Sequence, residues 1–108
     1  MSQEKLNVVN SRIKVFSQAA PELFVGFKKI TDQATKTGVF DSASKELIAT
    51  AIAVATGCED CVYYHVAGAR RYGATEAQLL EVLEIAVEMG GGPAVIYGSK
   101  ALEFFKET

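Results

Sequence analysis

Both cysteines and the single histidine of this chain fall in one short stretch, Cys58-Glu59-Asp60-Cys61 followed by His65, and Glu46 stands twelve positions before Cys58. On a helix, positions 58, 61 and 65 project within roughly 60° of arc, so two thiols and an imidazole share one face. A thiol reacts as its thiolate, and an ordinary cysteine, with a pKa of about 8.5, is only slightly ionised at neutral pH. Three features of the stretch could raise that fraction: a helix N-terminus, His65 one turn beyond Cys61, and Cys58 one turn before it. Glu59 and Asp60 act in the opposite sense, because adjacent carboxylates raise the cost of a further anion. His65 is therefore the expected proton acceptor for Cys61. Glu46, if the preceding helix carries it alongside, would hold the imidazole in the useful tautomer. An oxidised Cys61 would find Cys58 close enough to form a disulfide.

The same residue types support other readings. Two thiolates, one imidazole and Glu46 make four ligands for zinc, although structural zinc sites usually draw on two separated ligand pairs. A third reading is a redox sensor whose disulfide alters partner affinity without turning over a substrate. The redox-enzyme reading assigns its chemistry to Glu46, Cys58, Cys61 and His65, with no metal and no cofactor. Tyr63 and Tyr64 read as packing or rim residues. Gly90-Gly91-Gly92 lacks the strand and the Lys-Ser/Thr signature of a phosphate loop and reads as a helix break.

Composition narrows the classes. A net charge of −2 with scattered Lys and Arg, adjacent only at Lys28-Lys29 and Arg70-Arg71, leaves no electrostatic footprint for nucleic acid. The polar N-terminus is not followed by a secretory signal pattern, and the most apolar run, Leu47 to Gly57, is far shorter than the roughly 20 residues that cross a bilayer. A cytoplasmic protein is expected, and in a reducing cytosol two close cysteines serve redox or metal chemistry more often than stapling. With 49% apolar residues in 108, the chain should form one domain, residues 1–108, that hides part of its apolar surface in a homo-oligomer.

The elements that must position these groups are helices, since apolar residues recur at helical spacing and no segment alternates with period two. Leu6, Val9, Ile13 and Phe16 form one stripe. A second helix opens at Pro21, carries Leu23, Phe24, Phe27 and Ile30, ends by Gly38, and pairs with the first as a hairpin. Asp41 or Ser42 caps a third helix, running to about Thr56 and buried on most sides. Gly57 breaks it, and a fourth helix runs from about Cys58 to Tyr72, stopped by Gly73. Thr75 and Gln78 form a capping box for a fifth, apolar nearly all round and therefore central or at an interface. Pro93 starts the last, through Val95, Ile96, Leu102 and Phe105. The expected fold is an all-α domain of about six helices that assembles through its apolar helices.

Glu46, Cys58, Cys61 and His65 at these spacings, followed by Gly73-Ala74-Thr75 and a Leu-rich helix ending Gly90-Gly91-Gly92-Pro93, resemble the alkylhydroperoxidase D-like branch of the carboxymuconolactone decarboxylase superfamily. The match covers roughly residues 22 to 104. The resemblance implies an all-helical trimer or hexamer. It implies a thiol-dependent oxidoreductase with an antioxidant role, acting on a hydroperoxide or a protein disulfide and recharged by a thiol electron donor. It also implies that Cys61 is the peroxide-reactive cysteine, Cys58 the proton donor and resolving thiol, and Glu46 with His65 the proton relay. Asp60 stands where those proteins often have His. The chain lacks their extra N-terminal repeat and so looks like a single-repeat member. The decarboxylase branch lacks both cysteines, which argues against lactone decarboxylation here.

Overall fold

A computed structural model describes residues 2–108 and contains six α-helices: α1 (Ser2–Ala19), α2 (Pro21–Thr35), α3 (Ser42–Thr56), α4 (Glu59–Arg71), α5 (Glu76–Gly90) and α6 (Gly92–Glu107). No strand occurs among the described residues, and none of their helices is long and apolar enough to cross a membrane.

Local chemistry explains the boundaries. The Asp41 carboxylate accepts the Ser44 N–H at 2.8 Å and caps α3. At the far end Gly57 takes φ 75°, in the left-handed region, where a side chain is strained. Gly57 N–H donates to the Val54 carbonyl and Cys58 N–H to the Ala53 carbonyl, the paired bonds of a Schellman turn. The reversal is so tight that Cys58 is already the N-cap of α4. Thr75 and Gln78 exchange both bonds of a capping box at the start of α5. Thr75→Ala should cost about 1 kcal/mol and lower the melting midpoint by about 4–8 °C. An unchanged thermal unfolding curve would show that the cap contributes nothing.

Helix α3 is the centre, packing against α4, α5 and α6, while α1 lies on α4 and on α2. Val54, Val62, Val66, Leu79 and Phe104 are almost fully enclosed, and Tyr63 stacks on Phe104 with ring centroids 5.0 Å apart. The buried Thr50 hydroxyl donates to the Glu46 carbonyl at 2.8 Å, so its polarity is satisfied within α3.

The apolar faces of the helices are covered unevenly. On α1 only Val9 of the expected stripe is buried, with Ile13 and Phe16 exposed; Ile13 borders a cavity that α1 shares with Phe24, Phe27 and Thr31 of α2, and Phe16 meets Phe24 edge-on. Helix α3 is buried or partly buried over most of its surface, with Ile48 and Ile52 facing outward. The core face of α6 runs through Ala94, Gly98, Ala101, Phe104 and Phe105 while Val95 and Ile96 are exposed. On α1 and α6 there are more apolar residues than one covered face holds, and the available neighbours decide which are buried.

Candidate active site

The Schellman turn folds α4 back along α3. Glu46 lies eleven residues before Gly57 and His65 eight after it, so rises of roughly 16 and 12 Å bring them to similar heights on adjacent helices. Their side chains meet, with Glu46 Oε2 3.0 Å from His65 Nδ1. The carboxylate is the more enclosed partner, its side chain 12% exposed against 29% for the imidazole. With Glu46 ionised, Nδ1 carries the proton and donates it, which leaves Nε2 of a neutral ring as a free acceptor.

The contact depends on a residue that spacing did not single out. Gly68 is buried on α4 beneath the Glu46 carboxylate, and a Cβ there would stand 2.3 Å from Oε2 and 2.8 Å from Cδ. The glycine makes room for the acid. A small residue one turn after His65 was the available signal, but only with the helix pairing in hand could it be read.

Cys58 and Cys61 are joined as a disulfide, with Cα atoms 5.2 Å apart. The two sulfurs have different surroundings. Cys58 Sγ accepts the Cys61 backbone N–H at 3.3 Å as the cap of α4, so the helix N-terminus favours negative charge on Cys58. Cys61 instead borders a cavity of about 600 Å³ shared with His65, Tyr64, Asp60 and, from the α1–α2 hairpin, Val9, Arg12, Ile13, Phe24, Phe27, Lys28 and Thr31. A second cavity of about 240 Å³ lies behind the imidazole, reaching Glu46, Gly68, Lys45 and Arg71. His65, Tyr64 and Thr31 border both. The sulfur side is thus mostly apolar, and the carboxylate side mixed.

The acidic residues between the cysteines are both paired. Asp60 Oδ2 accepts from Arg12 Nη2 at 2.7 Å, and Glu59 Oε2 accepts from Lys100 Nζ at 3.0 Å. The hydrogen bond from Lys100 holds the Glu59 carboxyl below its usual range, and the same bond raises the Lys100 ammonium. Burial, then the Glu59 charge, pushes the Tyr63 phenol up. Tyr63 is therefore a packing residue, whereas Tyr64 is half-exposed at the cavity rim with its ring edge-on to His65. Among the described residues no group of three or more His, Cys, Asp or Glu side chains is disposed to hold a metal ion.

This all-helical fold with its paired cysteines belongs to a known class. Residues 21–104 match the Carboxymuconolactone decarboxylase family, and the chain is a member of it. The Cys-x-x-Cys pair is consistent with the alkylhydroperoxidase D-like branch. A crystal structure of an apo carboxymuconolactone decarboxylase family protein from Legionella pneumophila superposes with a TM-score of 0.93 at 40% identity, covering 98% of this chain and 95% of that one. A Thermotoga maritima structure shares the fold, with a TM-score of 0.81 at 24% identity over 92% of this chain and 90% of that one. An uncharacterized protein of Cupriavidus necator is 46% identical over 94% of this chain and 89% of its own length. The uncharacterized protein 4 in the cox locus of Paracoccus denitrificans is 37% identical over 84% and 82%.

Proposed function

We propose that the protein is a cytoplasmic thiol-dependent oxidoreductase with an antioxidant role, reducing hydroperoxides through the Cys58–Cys61 pair. The observation that carries this reading is the 3.0 Å contact between Glu46 and His65, with His65 on the wall of the cavity that Cys61 borders. In the reduced protein, Nε2 of His65 takes the Cys61 thiol proton, and Glu46 steadies the imidazolium that results. The thiolate attacks the terminal oxygen of the hydroperoxide. The O–O bond breaks, Cys61 becomes a sulfenic acid, and the departing alkoxide takes the proton back from His65 to leave as an alcohol. The Cys58 thiolate then attacks the Cys61 sulfur, forming the disulfide, and the expelled hydroxide leaves as water with the former Cys58 proton. A dithiol donor restores both thiols and is itself oxidised to a disulfide. A protein disulfide would be reduced through the same pair by thiol–disulfide exchange.

The test follows loss of an alkyl hydroperoxide with dithiothreitol as reductant. Catalytic consumption is expected. Consumption no faster than with dithiothreitol alone would overturn the reading.

The working form is a homo-oligomer. Helix α2 has no buried residue, and Leu23, Val25, Phe27 and Ile30 are each more than half exposed, as are Ile52, Ile85, Met89, Val95 and Ile96. So much apolar surface on a chain of this size favours association. Light scattering should give the mass of three or six chains, and a monomer at micromolar concentration would contradict this.

A further inference from the structure

Glu59 and Asp60 separate the two cysteines, and each negative charge opposes a thiolate at Cys61. Their cations come from different places. Lys100 of α6 answers Glu59, whereas Arg12 of α1, 48 residues away in sequence, answers Asp60. Only the second pair forms part of the wall of the Cys61 cavity. Helix α1 also lies outside the segment that matches the family, residues 21–104, so the neutralising guanidinium comes from outside the stretch that carries both cysteines and the Glu46–His65 pair.

We infer that Arg12 is a positioning residue that acts through Asp60: by pairing with that carboxylate it cancels the charge beside Cys61 and keeps the thiol ionisable. The inference rests on Cys61 being the reactive thiol. The other charged or titratable groups around Cys61 are His65 and Tyr64 on α4, Glu46 on α3 behind the imidazole, and Lys28 on α2, bonded to Asp32 at 2.8 Å. Lys5 on α1 pairs with Glu103 at 3.7 Å and lies over Tyr63. None of these is changed by substitutions at positions 12 and 60.

Arg12 and Asp60 have side chains 63% and 44% exposed. Solvent screens a pair of that exposure, so the expected effect is about two- to fivefold in thiolate fraction at neutral pH. The experiment measures the rate of iodoacetamide alkylation against pH, at low ionic strength, in a Cys58→Ser background where Cys61 is the one thiol. Arg12→Gln leaves Asp60 uncompensated, so its profile should move to higher pH and its rate at pH 7 should fall. Asp60→Asn leaves the guanidinium free and should move the profile the opposite way. The double variant should return close to the parent, Arg12→Lys should keep the parent profile, and high salt should shrink every difference.

If the ion pair served only to dock α1, both single variants would break it alike and shift the profile in the same direction. That result, or superimposable profiles for all variants, would overturn the inference. Alkylation needs no peroxide, so the two claims separate. The predicted ordering without hydroperoxide turnover would remove the proposed reaction and leave Arg12 its role; turnover with superimposable profiles would do the reverse.

Discussion

Cys61→Ser should lower hydroperoxide turnover below about a thousandth of the native rate, because a serine hydroxyl cannot form the sulfenic acid through which the oxygen is transferred. Cys58→Ser should behave differently. The first step remains, so one equivalent of peroxide per chain should be consumed in a burst, after which the Cys61 sulfenic acid should persist and be trapped by dimedone. The asymmetry follows from the site. Cys61 borders the cavity that holds His65, whereas Cys58 caps α4 through the Cys61 N–H. If the serine variants exchanged these behaviours, with the burst surviving in Cys61→Ser, the roles of the two sulfurs would be reversed. The helix N-terminus would then be the dominant activator.

Gly68→Ala should reduce turnover about a hundredfold with little loss of stability. The new methyl group would stand 2.3 Å from Glu46 Oε2, so the carboxylate must move and give up its bond to Nδ1 of His65, and a displacement of about 1 Å in a relay can cost that much. The backbone gains from alanine, which is better than glycine inside a helix by roughly 1 kcal/mol and offsets part of the strain. The loss should disappear in a Glu46→Ala background, where nothing remains to be displaced. A Gly68→Ala enzyme of native activity would show that the Glu46–His65 contact is dispensable. A loss of equal size in the Glu46→Ala background would assign Gly68 to helix packing instead.

Much of this molecule was written locally. Asp41, Gly57 and the Thr75–Gln78 box mark helix ends through bonds to backbone groups a few residues away, and Pro93 through its fixed φ in the first turn, so six helices could be placed from such signals and from apolar periodicity. The candidate site was equally plain as a set of residue types. Spacing put Cys58, Cys61 and His65 forward as candidates, the resemblance added Glu46, and the family it named is the one that the chain belongs to.

Only tertiary structure decided what those groups touch. The Glu46–His65 bond exists because a left-handed Gly57 lays α4 on α3 and because Gly68 leaves a gap for the carboxylate. Asp60, an obstacle to a thiolate when read alone, acquires a partner from α1 that no local pattern linked to it. The exposed Ile13, Phe16, Val95 and Ile96 make the same point for the core. Periodicity and capping act over one or two turns and are carried by the chain itself, whereas burial and charge pairing depend on which distant helix arrives beside a given face.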